Sequence, residues 1–254
     1  MGITHQVAAP GVAEVVVDVP PVNALTVQGW YDLADAITQA GRDPDIRVVV
    51  LRAEGRGFNA GVDIKEMQRT EGFDKLIGAN RGCAAAFAAV YDCEVPVIAA
   101  VHGFCLGGGI GLVGNADVIV ASEDATFGLP EVDQGALGAA THLARLVPQH
   151  LMRAMVYTCK PATARQLHEF GSVHTVVPRE RLRETAFEVA ALIADKDPYV
   201  IRRAKESLNG IDPVDVKRSY RFEQGFTFEL NLAGAGDRHR DAFVAKNGVT
   251  KKEG

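Results

Sequence analysis

The chain has 254 residues, 47% hydrophobic and 23% charged, and its 32 acidic against 27 basic side chains leave a net charge of −5, a balance that disfavours nucleic acid as the main partner. Mean hydropathy is near zero, and no apolar run approaches the roughly 18 residues of a membrane span, so a soluble globular protein is expected. Cys83, Cys93, Cys105 and Cys159 form no CxxC pair and the opening MGITHQVAAPG has neither a basic start nor an apolar core, which predicts reduced thiols, no zinc site and a cytoplasmic protein.

In chain order, VAEVVVDVP (12–20) reads as the first strand, rich in β-branched residues and closed by prolines. TVQGWYDLADAITQA then places apolar residues at helical spacing, with Thr26 as its N-cap. The continuous apolar run IRVVVLRA (46–53) predicts a strand buried on both faces. A helical region over 73–92 leads to a further buried strand, VPVIAAVHG, and DVIVAS (117–122) is a fourth. Alternating strands and helices imply an α/β fold with a partly parallel sheet. After Pro148 the patterns are mostly helical: QHLMRAMVYTCK, TARQLHEF, ERLRETAFEVAALIADK and PYVIRRAKESLNG, interrupted by the strand-like VHTVVP. Two last helices are expected over 213–233 and 238–246, before a polar tail. This divides the chain into an α/β core over 1–195 and a helical C-terminal region over 196–254.

Three segments are built for chemistry. GRGFNAGVDIKEM (55–67) follows a buried strand and enters a short helix, expected to start after Ala60; Gly57 and Gly61 permit a sharp turn there. GFCLGGGIGL (103–112), with five glycines in ten positions, also follows a buried strand and opens a helix. N–H groups with no side chain in front of them can approach a ligand oxygen, and two such donors aimed at an oxygen that becomes negative form an oxyanion hole. FGLPEVDQGALG (127–138) carries Glu131 behind Pro130 in a loop of little charge, where a carboxyl with a raised pKa would suit proton transfer. Gly109, Gly111 and Gly114 also match G-x-G-x-x-G, with Glu131 downstream. That dinucleotide reading needs the acid at the end of an apolar strand, whereas DVIVAS ends nine residues earlier and Glu131 follows a proline.

Taken in order, FNAGVDIKEM, HGFCLGGGIGL and DVIVASEDATFGLPEV resemble the crotonase (enoyl-CoA hydratase/isomerase) family, from PPVNAL through FELNLAGAGDRHRDAFVAK. The resemblance implies a spiral of ββα repeats, a helical C-terminal region that forms homotrimers or dimers of trimers, and acyl-CoA thioester substrates. It implies no permanently bound cofactor, coenzyme A arriving as part of the substrate, and neither nucleic acid nor membrane as partner. By motif position the oxyanion-hole N–H groups belong to Ala60 and Gly108. Gly61, Asp63, Ile64, Gly107, Gly111, Phe127 and Pro130 fall in the substrate-binding motifs, and Arg56 and Lys65 are candidates for gripping the CoA phosphates.

Hydratases of this family use two glutamates. Glu131 matches the second; Gly111 stands where the first would fall, which argues against ordinary hydration. Asp133 and His142, the latter in GALGAATHLARL where the family has a glycine, are candidate helpers. Two reactions survive on one carboxylate: a double-bond shift, and hydrolytic C–C cleavage by a retro-Claisen route. Runs such as RAEGRGFNAGVDIKEMQRTEGF and GALGAATHLARLVPQHLMRA resemble the actinobacterial branch that acts in cholesterol catabolism. That resemblance implies hydrolytic opening of a bicyclic methyl-dioxo-hexahydroindene-carboxyl-CoA, with hydration or isomerisation of an enoyl-CoA as the alternative. The small side chains of CAAAFAAV (83–90) would leave room for a bulky acyl group if their helix lines the pocket.

Overall fold

The computed structural model describes residues 2–68 and 73–235. Its main sheet has six strands in the order β1-β2-β3-β4-β6-β9: β1 (Gly2–Ala9), β2 (Val12–Asp18), β3 (Val48–Ala53), β4 (Val97–Val101), β6 (Val118–Ser122) and β9 (Thr175–Val177). β1 pairs antiparallel with β2, and every later pairing in this sheet is parallel. β1 is a strand that sequence patterning misses. It is a half-exposed edge strand, free of the apolar alternation that burial on one face would impose. The run over 12–20 is therefore the second strand, reached through the two-residue turn Pro10-Gly11.

Period-2 alternation sorts the parallel strands into two cores. Val15, Val17, Val49, Leu51, Ala99 and Val101 face α1 (Val27–Arg42) and α3 (Asp74–Tyr91). Val12, Val48, Val50, Ile98, Ala100 and Val120 face α8 (Leu182–Ala194) through Leu182, Ala186 and Ala190. Both faces being covered explains why these strands read as unbroken apolar runs. Glu14 is buried on β2, where it accepts from Arg52 Nε at 2.6 Å and Arg183 Nε at 2.8 Å; these contacts hold its carboxyl below the usual range although burial opposes them.

α1 begins where expected, with Thr26 Oγ1 accepting from Gly29 N at 3.1 Å. A small second sheet, β5 (Phe104–Leu106), β7 (Thr126–Gly128) and β8 (Ala162–Thr163), lies beside the glycine-rich segments. It carries the chain into α4 (Gly108–Val113) and, past β7, to Glu131. α5 (Ala140–Leu143), α6 (Gln149–Thr158) and α7 (Ala164–Glu169) follow. In the C-terminal part, α9 (Pro198–Gly210) is anchored by buried Lys205, whose Nζ lies 2.8 Å from both Asp117 oxygens. α10 (Val216–Leu232) buries Tyr220, Gln224, Thr227 and Asn231 along one stripe. The helix expected over 238–246 and the polar tail lie outside the described residues. Among the described residues no helix is long and apolar enough to cross a membrane.

Candidate active site

Two loops converge at the ends of β3 and β4. Asn59 N donates to Phe104 O at 3.3 Å and Leu106 N donates to Asn59 O at 2.9 Å, so the first loop is stitched alongside β5. Their turns need glycine, since Gly61 has φ +85 and Gly107 φ +57. A Cβ on Gly61 would sit 3.3 Å from Gly108 N, which measures how closely the two backbones approach. The first loop is braced from within. Asn59 Oδ1 accepts from Gly61 N at 2.8 Å, and its Nδ2 donates to Asn23 O at 2.6 Å. Asn23, itself at φ 54, donates to Glu54 O and Gly57 O at 2.8 Å each and accepts from Val19 N. Among the described residues Ala60 N and Gly108 N have no protein acceptor. The helix expected after Ala60 starts later, as α2 (Ile64–Gln68): Gly61 N donates to Asn59 Oδ1 and Asp63 N to Leu25 O at 2.9 Å, so the intervening chain is held outside a helix, and Asp63 Oδ1 accepts from Lys65 N in the first turn. Ala60 N is therefore a loop donor.

These two loops form one side of a cavity, with about 980 Å³ of space between its walls, part of it open to solvent. Ala60, Gly61, Gly107 and Gly108 line it, with Ile64 and Met67 of α2. α3 contributes Leu76, Asn80, Cys83 and Phe87 at helical spacing, and α10 adds Tyr220, Thr227 and Asn231. Among these lining residues Glu131 is the sole carboxylic acid. It sits at the start of a tight turn over Val132–Gln134. Its Oε2 is buried without a partner, and a Cβ on Gly107 would lie 2.8 Å from its Oε1, so the carboxyl rests against the second loop. Burial pushes its pKa up to about 8; a backbone hydrogen bond opposes this and the negative charge of Glu223 adds to it. A carboxyl titrating there can take and return a proton near neutrality. Burial likewise drives the Cys83 thiol far up, which leaves it inert.

Of the residues singled out from sequence, Ala60, Gly61, Ile64, Gly107, Gly108, Pro130 and Glu131 meet in this cavity. Phe127 is buried in β7 and does not line it. Asp63 is turned to its own turn, accepting from Lys65 N at 2.9 Å. Arg56, Lys65 and Asp133 are exposed and off the cavity wall. His142 is 1% exposed but also off the wall. Its Nδ1 lies 3.2 Å from Asn115 Oδ1, which also accepts from Arg145 Nη1 at 3.3 Å, so Nδ1 is the protonated nitrogen. Burial, with Arg145 adding to it, pushes the His142 pKa down to about 3, and its Nε2 is buried without a partner. Gly111 lies behind the wall: a Cβ there would be 2.2 Å from Phe87 Cζ, so the ring occupies the space a side chain at 111 would need.

Sequence reading passed over Asn23, Asn59, Phe87 and the α10 residues. Asn23 had a signal, an Asn just after a Pro-Pro pair where left-handed turns form. Phe87 had one too, as the lone large side chain in CAAAFAAV. The helix does line the pocket, but within this stretch through Cys83 and Phe87, while Ala84, Ala85 and Ala86 are off the wall. Tyr220, Thr227 and Asn231 gave no local sign, because their partners lie far away in the chain.

The enoyl-CoA hydratase/isomerase family model matches residues 8–228. The chain is 70% identical over 244 residues to the (7aS)-7a-methyl-1,5-dioxo-2,3,5,6,7,7a-hexahydro-1H-indene-carboxyl-CoA hydrolase of Rhodococcus jostii (strain RHA1), covering 96% of this chain and 95% of that protein. It is 68% identical over 247 residues to the hydrolase of the same description from Mycobacterium tuberculosis (strain ATCC 25618 / H37Rv), covering 97% and 100%. An enoyl-CoA hydratase/isomerase from Xanthobacter autotrophicus Py2 superposes with a TM-score of 0.86 at 28% identity, covering 97% of this chain and 93% of the other.

Proposed function

The chain belongs to the enoyl-CoA hydratase/isomerase family, and from that premise we propose that it is a CoA-thioester hydrolase that opens a ring of a bicyclic, steroid-derived acyl-CoA in cholesterol degradation. The substrate class is the one named for its relatives of 70% and 68% identity, a methyl-dioxo-hexahydroindene-carboxyl-CoA. The observation that carries the reading is Glu131, the sole carboxyl among the lining residues, with its Oε2 buried and partnerless on the wall of an apolar cavity flanked by two converging loops with available N–H donors.

In the reaction, ionised Glu131 takes a proton from water, and the hydroxide adds to a ring ketone carbon. Collapse of that adduct breaks the adjacent ring C–C bond and leaves a carboxylic acid. The electron pair released passes into the acyl portion as an enolate or its vinylogue. Ala60 N–H and Gly108 N–H donate to the oxygen on which this charge collects; removing one such donor costs about 3–4 kcal/mol of transition-state stabilisation. Protonated Glu131 then returns its proton to the carbanionic carbon. Substrate and one water give the ring-opened acid, and the enzyme ends as it began. Coenzyme A enters and leaves as part of the thioester, and no resident cofactor is needed.

The protein is proposed to work in the cytoplasm as a homotrimer or dimer of trimers; the exposed apolar side chains of the C-terminal helices, Tyr199 at 72%, Phe222 at 71% and Leu232 at 71%, are surface that such an assembly would cover. The test is kinetic. Wild-type protein is expected to turn over the bicyclic thioester and to leave crotonyl-CoA almost untouched. Glu131→Gln is expected to lose at least about 10²-fold in kcat while still binding the thioester. Strong crotonyl-CoA turnover would favour the hydratase reading instead, and a wild-type rate in the variant would remove Glu131 from the chemistry.

A further inference from the structure

Phe87 is 2% exposed, yet its ring forms part of the cavity wall. Three other rings hold it. Trp30 meets it edge-on at 5.7 Å between centroids, His142 edge-on at 5.1 Å, and Tyr220 tilted at 5.1 Å. Behind it, the missing side chain of Gly111 supplies its seat: a Cβ there would lie 2.2 to 2.5 Å from three of its ring carbons. The backbone is tied as well, since Phe87 O accepts from Asn115 Nδ2 at 2.9 Å. Asn115 Oδ1 is in turn held by His142 Nδ1 and Arg145 Nη1, and Arg145 Nη2 pairs with Asp212 at 2.8 Å. His142 stays neutral in this setting, so it serves as a packing ring and a single N–H donor rather than as a cation.

A side chain packed among three rings and seated on Gly111 presents a firm surface to a ligand. We propose that Phe87 is a specificity-determining wall of the acyl pocket, a rigid flat surface that admits a fused ring system of limited width and rejects broader ones, and that His142 and Asn115 are positioning residues for it. The inference rests on the acyl-CoA hydrolase reading and deepens it by assigning the acyl preference to one side chain. In a rigid apolar pocket one methylene group too many or too few is worth about 10–200-fold in discrimination, and a pocket with a movable wall loses that.

The test compares wild type, Phe87→Leu, Phe87→Ala and His142→Asn on two thioesters: the bicyclic substrate and an analogue broadened by one ring-alkyl group. The readout is the ratio of kcat/KM for the two, measured on the same preparation, so any unfolded fraction cancels. Wild type is expected to prefer the bicyclic substrate, and the ratio is expected to fall about tenfold or more in Phe87→Ala. The fall should be smaller in Phe87→Leu and His142→Asn, and carried mainly by KM of the broader thioester. A ratio unchanged in both Phe87 variants would overturn the wall. A His142→Asn enzyme with an altered pH profile and an intact ratio would overturn its positioning role. Wild type inactive on the bicyclic thioester would overturn the function reading itself, an outcome distinct from either.

Discussion

Glu131 combines what a proton carrier needs: burial, an oxygen without a partner, and a position against the loop that offers Gly108 N–H. As the base it must be ionised, so kcat/KM is expected to rise with pH through about 8 and then level, and a pH–rate profile checks this. The same displacement has a stability cost. Between the ordinary value of 4.5 and about 8 the unfolded chain has already released this proton while the folded one keeps it. Stability therefore falls as pH rises across that window. Glu131→Gln removes the conflict, so its melting temperature should exceed that of wild type above pH 8, by roughly 2–4 kcal/mol in stability, and match it below pH 4. Thermal melts at both ends decide the matter; equal gains at both would rule out ionisation as the cause. Glu131 was legible from its setting behind Pro130 in an apolar loop. The partnerless oxygen and the neighbouring Glu223 were not, because both depend on what α10 brings to the loop.

Among elements, the loop after β3 owes its shape to two asparagines rather than to its glycines alone. Asn59→Ala removes both the acceptor for Gly61 N and the tie to Asn23. The Ala60 N–H would then lose its aim, and a fall of about 10–10²-fold in kcat with little change in KM is expected in steady-state kinetics. An unaltered kcat would mean that the loop holds its shape without the brace. At α4, Gly111 stands where the family's first glutamate would fall. A side chain there has no room: Phe87 fills the space, so even Gly111→Ala should destabilise the fold by about 1–3 kcal/mol. Chemical denaturation measures this, and a neutral result would show that Phe87 can yield. The strands and long helices were legible because burial on two faces or one stripe writes a period into the chain. β1 was not, since an edge strand is under no such constraint.

For the molecule as a whole, one face of the sheet carries α1 and α3 and the other α8. The cavity forms beyond β3 and β4, where the chain leaves the sheet. α10 completes it, with Gln224 Nε2 donating to Asn80 O at 2.7 Å and Thr227 Oγ1 to Leu137 O. The same helix leaves Phe222 and Leu232 exposed on another side, and covering them is the physical case for an oligomer. Sedimentation velocity is expected to give three or six chains per particle. A monomer at micromolar concentration would remove that part of the proposal.

The sequence by itself determined the α/β class, the two glycine loops, the position of Glu131 and the family they resemble. Each is written in adjacent residues whose spacing or lost side chains have one physical use. Tertiary structure alone decided which side chains face the cavity: it brought in Phe87 and α10, set Asn23 and Asn59 as braces, and buried His142 behind the wall while leaving Asp133, Arg56 and Lys65 outside. The reason is that a side chain's direction and pKa come from neighbours distant in the chain, and local pattern carries no record of them.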